Sequence, residues 1–270
     1  MRDFLQITRG TAPLIVSFPH TGTEIPADLL PHYVSPWQAT RDTDWWIDQL
    51  YDFAKDLGAT TLRTTINRSV IDVNRDPSGV SLYPGQATTE LCPTTDFDGA
   101  SLYLAGQAPQ ESEIARRRET YFAPYHAALT QEIARLRKVH EKIVLYDAHS
   151  IRSHIPRLFE GELPQFNFGT NSGASCNPAL AATIELHCAA SGESHITNGR
   201  FKGGYITRNN GAPHQGVHAV QMELSCRGYM DEPAVINEHT WPTPYHPQRA
   251  AKIRDTLNKI LNACLEFVAS

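Results

Sequence analysis

The chain has 270 residues, 41% of them hydrophobic and 20% charged, a length that suits one large domain or two small ones and a composition that excludes a disordered or fibrous protein. Lys and Arg number 24 against 29 Asp and Glu, a net charge of −5. That balance argues against nucleic acid and anionic membrane surfaces as partners, since both select a basic footprint, yet it leaves room for a local cationic pocket that takes an acidic small molecule. No segment approaches the roughly 18 consecutive apolar residues of a membrane-spanning helix. The first ten residues interrupt their apolar character at Asp3 and Arg9, unlike a signal peptide. The cysteines Cys92, Cys176, Cys188, Cys226 and Cys264 form no CxxC pair, the pattern of reduced, mostly buried thiols in a cytoplasmic protein.

In chain order, the apolar run 13–18 ahead of Pro19 predicts a buried strand. Trp45, Trp46, Leu50, Phe53 and Leu57 recur at helical spacing before Gly58 and predict a helix over 44–57. The β-branched stretches 59–65 and 69–73 predict strands, and 75–110, rich in Pro, Gly, Thr and Asp, a long functional loop or lid. Residues 112–140 carry a helical pattern broken or kinked at Pro124, and 142–146 a second buried strand ending at Asp147. After an irregular stretch over 150–176, Asn177 as N-cap and Pro178 at the first helical position open a helix to about residue 190. Strands over 203–207 and 217–224 and a terminal helix over 247–268 complete the reading. Strands alternate with helices and no composition break marks a linker. The expectation is therefore a single α/β domain spanning 1–270, with a mixed, largely parallel central sheet flanked by helices and long loops at one edge.

In such sheets ligands bind beyond the carboxyl ends of the strands. Three predicted strands carry unusual polar residues: the first is followed by His20, the second by Asp147 and His149, and the third contains His218, Gln221 and Glu223. A lone His in such a place is commonly a hydrogen-bonded structural residue. Two of them, after separate buried strands, point instead to a shared metal, because neutral imidazole suits zinc. Two His, one carboxylate and an open position make a catalytic zinc arrangement. Glu24, Asp42 and Asp44 are candidates for the carboxylate, although Asp at a helix start also serves as a cap. Arg68, Asn74 and Arg75 lie around the predicted strand 69–73, and Arg208 follows a Gly-rich turn. The planar fork of Arg suits a carboxylate, and cations gathered at strand–loop junctions of an acidic protein fit an anionic substrate. Glu223 sits in a mainly apolar strand, where an unpaired carboxyl is costly, and is a candidate general acid or base. Nucleotide-binding glycine loops, a GxSxG elbow and an HExxH helix do not occur.

Six segments in register, 17–22, Asp44-Trp45 with Asp48, 68–75, 147–150, 203–208 and 216–223, together resemble the N-formylglutamate deformylase (N-formylglutamate amidohydrolase) family, hydrolases that act last in one route of histidine degradation. The family is distantly similar to zinc carboxypeptidases and aspartoacylase, and the resemblance implies a phosphorylase/hydrolase-like α/β fold. It further implies that His20 and His149 bind zinc, that Asn74 and Arg75 grip a substrate carboxylate, and that Glu223 is the catalytic glutamate. The wider clan places a Glu three residues after the first His; here that position is Thr23 and Glu24 follows one place late, so Asp44 is favoured over Glu24 as the third ligand. The activity implied is hydrolysis of N-formyl-L-glutamate to formate and L-glutamate. Hydrolysis of another N-acyl amino acid, or metal-free carboxylate binding without catalysis, are the alternatives.

Overall fold

The apolar runs of the sequence form the middle of a seven-stranded sheet in a computed structural model that describes residues 3–270. In chain order the main elements are β1 (Leu5–Thr8), β2 (Leu14–Phe18), α1 (Pro36–Thr40), α2 (Ile47–Leu50), β3 (Thr60–Thr64), α3 (Glu111–Arg117), α4 (Ala123–Arg137), β4 (Ile143–Ile151), β5 (Phe166–Gly169), α5 (Pro178–Ala190), β6 (His195–Thr197), α6 (Tyr205–Asn210), β7 (Val217–Ser225) and α7 (Pro247–Ala269). The strand order is β1-β3-β2-β4-β7-β5-β6. The β3-β2-β4-β7 core is parallel, while β1 runs antiparallel to β3 and β5 antiparallel to β7. Among the described residues no helix is long and apolar enough to cross a membrane, and all five cysteines are buried and unpaired.

Period-two alternation assigns the two faces of this sheet. Leu14, Val16 and Phe18 of β2, Val144, Tyr146 and Ala148 of β4, and Val220, Met222 and Leu224 of β7 share one core with Leu180 and Ile184 of α5 and Ile253, Leu257 and Ile260 of α7. On the opposite face Ile15, Ile143, Leu145, Val217 and Ala219 share a core with Tyr125, Leu129 and Leu136 of α4. Further along the strands that second face turns polar. Asp147 and His149 continue the row of Ile143 and Leu145, and Gln221 and Glu223 continue that of Val217 and Ala219. The parallel register sets Asp147 beside Gln221 and His149 beside Glu223.

The structure departs from the sequence reading in several elements. The predicted helix over 44–57 is broken into α2 and a 3₁₀ turn at Asp52–Lys55. Trp46 takes a left-handed conformation (φ 62°) and the Asp44 amide donates to His20 O, so the chain is drawn toward β2 before α2 begins. Residues 69–73 form turns, not a strand. Asn67 Oδ1 accepts from Ser69 N and Asp72 Oδ1 from Asn74 N, and such side-chain acceptors compete with a sheet ladder. The predicted strand at 203–207 is instead the start of α6. Its first amides donate to Asn74, Tyr205 N to the backbone carbonyl and Ile206 N to Oδ1. The long helix over 112–140 is α3 and α4 joined through a π-helical turn at Arg118–Phe122, just before Pro124. β4 runs four residues past its predicted end at Asp147, and the short strands β1, β5 and β6 carried too little pattern to be read.

Candidate metal centre and active site

Pro19 ends β2, and His20 follows in a turn that packs on the segment after β3. A Cβ on Gly22 would lie 2.4 Å from Ile66 O, so glycine is needed for that approach. The imidazole of His20 then faces His149 on β4 and Asp44 on the α1–α2 connection. These three side chains are 2%, 2% and 1% exposed. Their inner atoms form a small triangle. His20 Nδ1 and His149 Nδ1 are 3.1 Å apart, His149 Nδ1 is 3.2 Å from Asp44 Oδ2, and His20 Nδ1 is 3.6 Å from the same oxygen.

The outer nitrogens fix what the inner ones can do. His20 Nε2 donates to Asp72 Oδ1 at 2.7 Å and His149 Nε2 to Asp147 Oδ2 at 2.8 Å. A neutral imidazole that donates through Nε2 carries a lone pair on Nδ1. Two lone pairs and a carboxylate oxygen therefore converge on one point, an arrangement that a cation satisfies. Ligands held tetrahedrally at about 2.0–2.1 Å from zinc lie about 3.3–3.4 Å apart, close to the triangle's sides. The paired carboxylates behind both imidazoles match the usual orienting shell of metal-bound His. His20, Asp44 and His149 are thus a buried group able to hold a metal ion.

Electrostatics favour positive charge at this point. Burial works against the Asp44 anion, but the charges and hydrogen bonds of His20 and His149, together with Arg68, hold its carboxyl below the usual range. Burial likewise opposes the His149 cation, and the charge and hydrogen bond of Asp147 overcome it and push that imidazole well above its usual value. Asp72 is held well below the ordinary carboxylate range against its burial by Arg75, His20 and Arg68. Burial pushes the Glu223 carboxyl up to about 8, with His149 opposing and Asp44 adding to the rise.

A pocket opens over this face, lined among others by His20, His149, Glu223, Gln221, Arg68, Asn74, Arg75 and Arg200. Arg68 is largely occupied there by the site itself. Its Nη1 donates to Asp44 Oδ1 at 3.1 Å and its Nη2 to Asp72 Oδ2 at 2.9 Å. The Asn74 amide is likewise engaged, donating to Asp147 Oδ2 and accepting from Ile206 N. Gly204 makes that fit possible, since a Cβ there would lie 2.4 Å from Asn74 Nδ2. Arg75 is braced by Thr89 through Nε and Nη2, each at 3.1 Å, which leaves Nη1 for the pocket.

Arg208 does not line this pocket. Its Nε donates to Gly203 O and its guanidinium lies over the Tyr83 ring. Glu24 accepts from Thr65 and Asp42 from Phe97 N, both apart from the triangle. Asp48 pairs with Arg63, and His218 accepts from Asn177 N and packs against Phe267 of α7. Sequence reasoning assigned no role to Asp72 or Asp147 and missed Arg200. The spacing of Asp147 and His149 on one strand face was a usable signal for the second, whereas Arg200 lies in an irregular segment without one.

A profile of the N-formylglutamate amidohydrolase family matches residues 12–230. The chain is 47% identical over 268 residues to the N-formylglutamate deformylase of Pseudomonas aeruginosa, covering 99% of this chain and 98% of that protein. It is 44% identical over 270 residues to the N-formylglutamate deformylase of Pseudomonas putida, covering 100% and 98%. The solved N-formylglutamate amidohydrolase from Ralstonia eutropha has the same fold, with a TM-score of 0.79 at 23% identity over 98% of each chain. A gene product of Agrobacterium tumefaciens shares it at a TM-score of 0.70 and 16% identity, covering 98% of this chain and 96% of that one.

Proposed function

Because the chain belongs to the N-formylglutamate amidohydrolase family, we propose that it is a zinc-dependent hydrolase that cleaves N-formyl-L-glutamate to formate and L-glutamate, as the last step of histidine degradation in the cytoplasm. The observation that carries this reading is the triangle of His20 Nδ1, His149 Nδ1 and Asp44 Oδ2 beside the buried carboxyl of Glu223. Five buried, unpaired thiols fit the reducing compartment.

His20, Asp44 and His149 would hold the zinc, which when bound would supply a Lewis acid for a carbonyl oxygen and for water. The chain's own groups do the rest. Asp72 and Asp147 hold the two imidazoles in the tautomer that keeps both Nδ1 lone pairs inward. Arg68 fixes Asp44 and Asp72 relative to one another. Glu223 takes a proton from the attacking water and delivers it to the amide nitrogen as the carbon–nitrogen bond breaks. Burial disfavours its charged form, which suits a group that must accept and then release a proton. Arg75 holds a substrate carboxylate through Nη1, so that binding of a remote group orients the scissile amide.

Formate release from N-formyl-L-glutamate, N-formyl-L-glutamine and N-formyl-L-methionine, with glutamate release from N-acetyl-L-glutamate, tests the assignment with and without a chelator. We expect N-formyl-L-glutamate to be cleaved fastest and cleavage to stop on chelation. A clear preference for a different acyl amino acid would transfer the site to that substrate. Tight carboxylate binding without turnover of any of them would make the protein a binding module.

A further inference from the structure

We propose that Arg200 reads the side-chain carboxylate of the substrate and so sets the preference for glutamate over glutamine derivatives. This inference rests on the hydrolase reading above and names the residue behind its selectivity. Three arginines line the pocket. Arg68 is paired with Asp44 and Asp72, and Arg75 has Asp72 at 3.6 Å. Arg200 has no carboxylate partner among the described residues. Its Nε donates to Leu158 O at 2.8 Å and its Nη2 to Ala87 O at 2.7 Å. Those carbonyls fix the guanidinium plane without neutralising its charge, and Nη1 makes no hydrogen bond.

The surroundings leave that charge in want of an anion. Burial lowers the Arg200 pKa and the neighbouring Arg75 adds to this, while Tyr83 and the more distant Glu223 oppose it without forming an ion pair. The ring of Tyr83 and that of Phe201 each lie 5.3 Å from the guanidinium, and the Tyr83 hydroxyl is tied to Gly203 O at 2.9 Å. The cation is thus held rigid, facing a pocket it shares with a second cation. A dicarboxylate fits such a pair. Arg75 adjoins Asn74, whose amide contacts His149, so it lies near the reacting centre. The α-carboxylate, two bonds from the scissile nitrogen, belongs there. Among the described residues Arg200 makes no hydrogen bond to Asn74 or to the His20, Asp44 and His149 triangle and is held instead through Ala87 O and Leu158 O, so the carboxylate at the end of the side chain is assigned to it.

The test compares zinc-loaded wild type, Arg200→Gln, Arg200→Lys and Arg75→Gln. For each, kcat/KM is measured on N-formyl-L-glutamate and N-formyl-L-glutamine, and calorimetry gives the affinities for L-glutamate and L-glutamine. Loss of a charge-assisted hydrogen bond predicts that Arg200→Gln lowers the glutamate-to-glutamine ratio of kcat/KM about 10–100-fold. Cleavage of the glutamine substrate should change only a few-fold. Arg200→Lys should keep part of the ratio, because charge survives without the fork. Equal losses on both substrates would reduce Arg200 to a structural prop. Collapse of the ratio in Arg75→Gln but not in Arg200→Gln would give the role to Arg75. If wild type cleaves neither substrate, the hydrolase reading fails and the calorimetry still decides. Tighter binding of L-glutamate than L-glutamine that disappears in Arg200→Gln supports the assignment, and equal affinities in wild type overturn it.

Discussion

Gln221 and Glu223 stand where an apolar strand face turns polar, and a one-atom substitution tests the role proposed for the second. Glu223→Gln keeps size and removes the base. General acid–base catalysis contributes about 10²–10⁴-fold, so kcat should fall by that factor while zinc content stays at the wild-type value. A near-wild-type kcat would remove Glu223 from the chemical step. Asp147 stands behind His149, accepting from its Nε2, where the proposed metal site would give it an orienting role. Asp147→Asn should weaken zinc about 10–100-fold, read by competition with a chelator of known affinity. Unchanged affinity would mean that His149 needs no orienting carboxylate. At this scale the polar residues that interrupt apolar runs, His20, His149 and Glu223, could be singled out in the sequence, and the fold brings them to one pocket. The sequence was uninformative at Arg200, because an Arg in an irregular segment looks like any solvated cation. Arg208, chosen from its place after a Gly-rich turn, lies over Tyr83 outside the pocket instead.

Elements with a buried, periodic face were legible: β2, β4, β7, α5 and α7 all follow from apolar spacing and caps. Residues 44–57, 69–73 and 203–207 carry equally persuasive local patterns and fold otherwise, because Asp44, Asp72 and Asn74 are pulled toward the site by His20, Arg68 and Asp147. Local propensity loses there to tertiary hydrogen bonding. Helix α4 offers a test that leaves the metal aside. Its His126 donates to Val73 O at 2.8 Å and packs on Phe122, and burial lowers its pKa to about 4. The folded value lies below the unfolded value of about 6.5. Its neutral form therefore stabilises the fold fully above pH 6.5, and that contribution is lost as pH falls toward 4. Linkage predicts a loss of about 2 kcal/mol between pH 7 and pH 5. In metal-free protein, denaturant unfolding of His126→Gln should lose less stability over this interval than wild type, by about that amount. Identical pH dependence in the two would show that His126 is not held neutral.

Across the whole molecule, one architectural fact places the site. Four parallel strands carry an apolar face covered by α4, and beyond that cover the same face presents Asp147, His149, Gln221 and Glu223. The connections 18–24, 41–46 and 67–75 close around it and bring His20, Asp44 and Asp72 into reach. The alternation of strands and helices made this sheet readable in advance, and with it the strand ends where the pocket lies. The closing loops were not, since turns built on Asn and Asp side chains have no period. The most direct measurement is activity on N-formyl-L-glutamate as zinc is titrated into chelator-stripped protein. Formate release should be absent at the start, rise linearly with added zinc and level off at one equivalent per chain. Full turnover by the stripped protein, or a zinc response that survives in His20→Ala and His149→Ala alike, would contradict the account.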